Sequence, residues 1–247
     1  MARFAVIIAA AGASRRLQDA NKRKKPFLDL KGRAIWIRSA ELFVSRDDVV
    51  QTLIVIAPED IDWFKEKFRA NLAFMDVQIV PGGAERVDSV ANALERVRDE
   101  VDFVAVHDAA RPLLTKEWID EVFRAAEQYG AVVPAVPVAS TLKRVASDNT
   151  IQQTVSREGL WAAQTPQVFR RQWLIDAYGR RGDQTPTDDA QLVEQAGYSV
   201  KVIRGWAMNF KITTSADLAM AKAVVDALPK KTIRSLHPFA DDRPDLF

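Results

Sequence analysis

The chain has 247 residues and no cysteine, which excludes disulfides, thiolate metal ligands and a cysteine nucleophile together and fits a reducing compartment. Its 35 Lys and Arg nearly cancel 33 Asp and Glu, leaving a formal net charge of +2, so no global field selects nucleic acid as a partner and any basic function is local. No apolar stretch approaches the roughly 18 residues of a membrane span, and the amino terminus enters a strand without a basic region and cleavage site; one soluble, cytoplasmic α/β domain is expected.

Short apolar runs alternate with amphipathic segments along the chain. The pattern predicts strands at 4–9, 52–57, 77–80, 102–106 and 131–136, and helices at 34–45, 60–70, 85–97 and 116–129. This βαβ rhythm implies a mainly parallel sheet flanked by helices, with ligands gathered at the carboxyl ends of its strands.

The first strand runs into Ala9-Ala10-Ala11-Gly12-Ala13-Ser14 and then the cations Arg15, Arg16 and Lys22-Arg23-Lys24-Lys25. Small residues let the backbone approach a ligand, amides can face phosphate oxygens, and fixed positive charge suits nucleotidyl transfer. The structural alternative is an ordinary Ala-rich turn with a solvated basic loop. Neither G-x-x-x-x-G-K-[ST] nor G-x-G-x-x-G is present, so a P-loop and a dinucleotide fold are disfavoured.

Pro81-Gly82-Gly83-Ala84-Glu85-Arg86-Val87-Asp88-Ser89 is a Gly-rich strand-to-helix turn that could hold a base or a phosphate, with Glu85 and Asp88 suited to a helix start. In His107-Asp108-Ala109-Ala110-Arg111-Pro112, Asp108 can take a hydroxyl or a divalent ion and Arg111 a phosphate; an Asp–Arg pair is the plain alternative. His107 and His237, the two histidines, have no metal-ligand spacing, and His107 is expected to be packed. No G-x-S-x-G elbow is present, which disfavours a triad hydrolase.

Segments 137–145 and 151–157 alternate in polarity around Ser147-Asp148-Asn149-Thr150, which predicts a hairpin arm. A two-stranded ribbon is marginal alone in water, so the arm at about 137–159 is expected to pack against a second subunit in a homodimer. Gly159-Leu160-Trp161-Ala162-Ala163-Gln164-Thr165-Pro166-Gln167-Val168-Phe169 is assigned to a turn before a helix, and Thr187-Asp188-Asp189 to a cap and acidic first turn of a helix reaching about Ala196. Lys211 falls in a strand-like segment, 206–214, where a half-buried ammonium needs an anion such as phosphate; Ser215 then caps a helix to about Leu228. Trp36, Trp63, Trp118 and Trp173 fall in helical segments and suit a core or an interface. The expected division is a domain at 1–229, arm included, and an irregular tail at 230–247.

Seven motifs in order give the sequence a resemblance to the bacterial 2-C-methyl-D-erythritol 4-phosphate cytidylyltransferase family over nearly residues 4–225. They are Ala10-Ala11-Gly12 with Arg16 and Lys25, Gly82-Gly83-x-x-Arg86-x-x-Ser89, His107 to Pro112, Thr141-Leu142-Lys143, Leu160-Trp161-x-x-Gln164-Thr165-Pro166-Gln167, Thr187-Asp188-Asp189 and Asn209-x-Lys211-x-Thr213. The resemblance implies a Rossmann-like nucleotidyltransferase fold, a homodimer interlocked through the arm, and Mg²⁺-assisted transfer of a cytidylyl group from CTP to 2-C-methyl-D-erythritol 4-phosphate. It assigns the catalytic set to Arg16, Lys25, Lys211 and Arg157, the nucleotide cradle to Ala10, Ala11, Gly12, Gly83, Ser89 and Ala109, and the acceptor site to Asp108, Arg111, Thr141, Thr165, Thr187, Lys211 and Arg157, with Arg157 carried on a partner's arm. It assigns no metal ligands. The loop before Phe27 departs from the family pattern and makes Lys24 a rival to Lys25, and position 84 is Ala where an acidic residue is common. Two alternatives accompany this reading: a cytidylyltransferase for another polyol phosphate such as ribitol 5-phosphate, and a non-catalytic nucleotide-binding module.

Overall fold

The computed structural model describes residues 1–12 and 24–228. Six apolar residues in a row form β1 (Phe4–Ala9), which is buried on both faces, as a central parallel strand requires. A small hairpin of β2 (Asp29–Leu30) and β3 (Arg33–Ala34) leads to α1 (Ile35–Val44), then β4 (Val49–Ile56), α2 (Ile61–Met75), β5 (Val77–Pro81), α3 (Arg86–Leu94), β6 (Phe103–Asp108), α4 (Lys116–Tyr129) and β7 (Ala131–Pro137). A ribbon of β8 (Leu142–Val145) and β9 (Ile151–Val155) precedes β10 (Trp161–Ala163), β11 (Gln167–Arg170), α5 (Arg171–Gly179), α6 (Asp189–Gln195), β12 (Lys201–Arg204) and α7 (Ser215–Val224).

The main sheet has the order β10-β7-β11-β6-β1-β4-β5, with β12 also paired to β7. β1 runs parallel to β4 and β6, β4 to β5, and β12 to β7, as the βαβ rhythm implied. β10 and β11 run antiparallel to their neighbours, and β11 is inserted between β6 and β7. The segment assigned to a turn therefore contains two strands, joined through a cis Thr165–Pro166 bond. The run at 206–214 is not a strand; the neighbouring strand is 201–204, and Lys211 sits in irregular backbone.

Alternating residues of β1 divide the core. Phe4, Val6 and Ile8 face a layer from α1, α2 and α4 that includes Trp36, Phe43, Phe64 and Phe123, whereas Ala5 and Ile7 face α3, α5 and α6. Phe4 stacks on Phe103 and Phe123 with centroids 5.3 and 4.0 Å apart, and Trp36 meets Phe68 edge-on at 5.2 Å. Gly130 ends α4 at φ +85, where a Cβ would lie 2.5 Å from the Trp173 ring. Layers on both faces leave the carboxyl edge of the parallel strands as the place for a ligand.

Candidate active site

The chain ends of β1, β4, β5 and β6 surround a cleft of about 680 Å³. Its wall includes Ala10, Ala11, Gly12, Lys25, Gly83, Ser89, Asp108 and Lys211, eight of the residues the sequence singled out. The floor is held by main-chain bonds: the Ala10 N–H donates to the Val55 carbonyl at 3.0 Å, and that of Ala109 to Ala9 at 3.1 Å. Ala109 is thus fully buried behind the wall.

Packing explains the glycines. A Cβ on Gly83 would lie 2.4 Å from that of Asp88, so a side chain there displaces the turn, while the Gly83 N–H donates to the Ser89 hydroxyl at 3.0 Å. Glu85 and Asp88 form a reciprocal capping box on α3. Arg181 donates to Asp88 at 2.6 Å and, with the Glu85 N–H, holds that carboxyl below its ordinary value.

Two adjacent lysines line the cleft. Pro26 starts a short 3-10 turn, Lys25–Phe27, with Lys24 as its flanking residue. The Lys24 ammonium lies 2.6 Å from Glu59 and 2.8 Å from Asp60 and is engaged by both. Burial disfavours that charge, but the bonds to Asp60 and Glu59 outweigh it and leave its pKa raised. Lys25 lines the cleft beside it. Arg16 lies outside the described residues.

Asp108, at the end of β6, is the electrostatic centre. Its Oδ2 is 2.8 Å from Lys211 Nζ and 3.6 Å from Arg111 Nε; its Oδ1 is 3.5 Å from Arg86 Nε. Burial alone would push the carboxyl up, but Lys211 and Arg86 hold it well below the usual range, so it stays ionised. Lys211 is placed by the next residue: buried Ile212 donates its N–H to Ala110 at 2.9 Å, and Thr214 caps α7, so Ser215 is not the cap.

A neutral histidine braces this carboxylate. The Asp108 N–H donates to Thr165 Oγ1 at 3.0 Å, and that hydroxyl meets His107 Nδ1 at 3.1 Å. His107 Nε2 lies 3.1 Å from the Arg111 carbonyl, which can only accept, so the ring proton is assigned to Nε2 and Nδ1 accepts from Thr165. Burial pulls the ring down to about 4. Arg111 donates to the Asn209 carbonyl at 2.7 Å, and the Asn209 amide donates to the Thr165 carbonyl at 2.9 Å. Thr165 and Arg111 therefore lie behind the cleft as its support.

Three expected residues are not gathered into this cleft of the single chain: Thr141 and Arg157 are exposed near the β8–β9 ribbon, and Thr187 is exposed before α6. Asp188, not Thr187, caps α6 by accepting from the Gln191 N–H at 3.1 Å. Asp189 is fully buried and paired with Arg86 at 2.8 Å, a role that its position in an acidic first turn concealed.

No group of three His, Asp or Glu able to hold a metal occurs among the described residues. The cleft carboxylates are already engaged: Asp108 by cations, Glu59 by Lys24, and Glu85 by the start of α3. Such a donor set does not fit a protein-held divalent ion.

A mainly parallel sheet whose strand ends hold Ala-rich and Gly-rich turns beside lysines defines, with the comparisons, a nucleotidyltransferase. Residues 4–227 match the family described as 2-C-methyl-D-erythritol 4-phosphate cytidylyltransferase. Proteins of that name from Clostridioides difficile (strain 630) and Pelotomaculum thermopropionicum are 36% and 39% identical, covering 94% and 92% of this chain and 98% and 96% of their own lengths. A crystal structure of a 4-diphosphocytidyl-2C-methyl-D-erythritol synthase superposes with a TM-score of 0.77 at 30% identity, covering 92% of this chain and 100% of its own. The 2-C-methyl-D-erythritol 4-phosphate cytidylyltransferase from Thermus thermophilus gives 0.73 at 31% identity, with the same coverage of 92% and 100%. The chain belongs to the 2-C-methyl-D-erythritol 4-phosphate cytidylyltransferase family.

Proposed function

We propose that the cleft binds CTP and 2-C-methyl-D-erythritol 4-phosphate and joins them. A phosphate oxygen of the acceptor attacks the α-phosphorus of CTP in line. The new P–O bond forms as the bond to the pyrophosphate oxygen breaks, giving 4-diphosphocytidyl-2-C-methyl-D-erythritol and pyrophosphate without a covalent enzyme intermediate. The observation that carries this reading is one cleft shared by Ala10, Ala11, Gly12, Gly83 and Ser89 with Lys25, Asp108 and Lys211. Small residues and free space suit a nucleoside, and the lysines suit phosphates that gain charge on the bridging oxygen.

In this reading Lys25, with Arg16, stabilises the α-phosphate during transfer, and Lys211 draws the acceptor phosphate towards it. Arg111, Thr165 and Ala109 support the acceptor and nucleotide sides from behind, and Thr187 is assigned to the acceptor. A divalent cation such as Mg²⁺ would supply charge neutralisation on the triphosphate, with no carboxylate cluster among the described residues to hold it. Thr141 and Arg157 come from the arm of a second copy. Support for a homodimer comes from the β8–β9 ribbon, whose Val145 and Ile151 are 48% and 58% exposed, and from Trp161 beside it at 46%. The division at residue 229 and a cytoplasmic location belong to the same reading; among the described residues no helix is long and apolar enough to cross a membrane.

Pyrophosphate release is followed with CTP, Mg²⁺ and either 2-C-methyl-D-erythritol 4-phosphate or ribitol 5-phosphate. Release with the first acceptor, at a kcat/KM far above that for ribitol 5-phosphate, is expected. A preference for ribitol 5-phosphate transfers the assignment to that acceptor, and CTP binding without turnover on either makes the chain a nucleotide-binding module. Light scattering of Ile151→Asp against the unaltered protein tests the arm, with a dimer converted to an inactive monomer as the expected result.

A further inference from the structure

Asp189, the first residue of α6, has no exposed surface, yet it carries a carboxylate. Tyr178 donates its hydroxyl to Oδ1 at 2.6 Å, and Arg86 donates Nη2 to Oδ2 at 2.8 Å. The other edge of the same guanidinium faces Asp108, with Nε at 3.5 Å from its Oδ1. Burial and Asp189 push the Tyr178 phenol up, so it stays a donor, and the two carboxylates outweigh burial to hold Arg86 charged. A buried ion pair contributes little net stability but fixes geometry when its remaining hydrogen bonds are satisfied.

The ion pairs of Asp108 and Asp189 give that geometry a consequence. Arg86, Arg111 and Lys211 face Asp108 and Asp189, three cations against two carboxylates, leaving one excess positive charge. Lys211 has the most exposed side chain of the three, 38% against 30% for Arg86 and 12% for Arg111, so the excess is presented to the cleft there. Without a charge on Asp189, Asp108 is the carboxylate left to Arg86, and the guanidinium then competes with Lys211 for it.

We infer that Asp189 is a positioning residue for the acceptor phosphate: anchored by Tyr178, it holds Arg86 back from Asp108, so that Asp108 orients the Lys211 ammonium towards the cleft. This rests on the nucleotidyl-transfer reading above, in which Lys211 meets the acceptor.

Asp189→Asn and Tyr178→Phe test it. In steady-state kinetics Asp189→Asn raises the KM for the acceptor about tenfold and leaves the KM for CTP within about twofold, and Tyr178→Phe moves the same constant in the same direction by less. An unchanged acceptor KM in Asp189→Asn, or an equal loss for CTP and acceptor such as general loosening produces, overturns the inference. Should Asp189→Asn not fold, the isosteric Tyr178→Phe decides by the same criterion. Titration calorimetry with inorganic phosphate separates the two readings, because it does not require turnover: phosphate affinity falls about tenfold in Asp189→Asn if Asp189 sets Lys211, even if the unaltered protein used neither acceptor. Unchanged phosphate affinity with active unaltered enzyme overturns this inference and leaves the reaction assignment standing.

Discussion

The buried imidazole of His107 makes the stability of the site depend on pH in a definite window. Its ring is fully buried against Phe43 at 5.2 Å, with Nδ1 accepting from Thr165 and Nε2 donating to the Arg111 carbonyl. A second proton on the ring loses hydration, and this burial outweighs the attraction of Asp108, while Arg111 and Lys211 oppose the charge further. Burial therefore lowers the folded value to about 4 from an ordinary 6.5, and the unfolded chain binds the proton first as the medium is acidified. The stabilisation is complete above pH 6.5 and is lost as the pH falls from about 6.5 to about 4. At 1.36 kcal/mol per pH unit of difference, about 2 to 3 kcal/mol is lost between about pH 7.5 and pH 4.5. Urea unfolding of the unaltered protein and His107→Gln at both pH values isolates this part, since the Gln amide can donate to the carbonyl and accept from Thr165 but does not titrate. The unaltered protein should lose about 2 to 3 kcal/mol more than the variant over that interval. Equal losses in the two proteins would refute the argument that a neutral, buried ring braces Asp108.

Lys25→Ala should lower kcat about 10²- to 10³-fold with CTP affinity little changed, whereas Lys24→Ala, which breaks the pairs with Glu59 and Asp60, should leave kcat within a few-fold; single-turnover kinetics and CTP titration separate them. Asp108→Asn removes the counter-charge from Lys211, Arg86 and Arg111 and should cost about 3 kcal/mol, the low end for a buried pair because Lys211 is partly solvated; scanning calorimetry would show the loss, and added phosphate should recover part of it. Gly83→Ala forces a Cβ to within 2.4 Å of that of Asp88 and should cost about 1 to 3 kcal/mol by denaturant unfolding, with a raised KM for CTP; a KM equal to that of the unaltered enzyme would show that this turn does not touch the nucleotide.

Much of the fold was legible because its signals are local. The apolar run Phe4–Ala9 has the length and composition of a doubly buried strand, and 116–129 has the periodicity of the helix that forms at those residues. The small residues after β1, the glycines after β5 and the acid at the end of β6 then had to meet at one edge, because parallel strands with right-handed crossovers share a carboxyl end. The burial of His107 was also foreseeable, since a histidine within an apolar run has little else to face.

The sequence by itself therefore determined the strands β1 and β4 to β7, the β8–β9 ribbon, most of the helices and the edge at which the cleft opens, all of which follow from periodicity and steric preference over a few residues. Tertiary structure alone decided the antiparallel insertion of β11 between β6 and β7, which depends on partners 61 to 67 and 36 to 38 residues away in the chain. It also brought Glu59 and Asp60 onto Lys24 and turned Asp189 inward to Arg86 from 103 residues away. Charge has no periodicity to reveal its partner: which cation meets which carboxylate is set by the packing that brings them together, and that packing is a property of the whole chain.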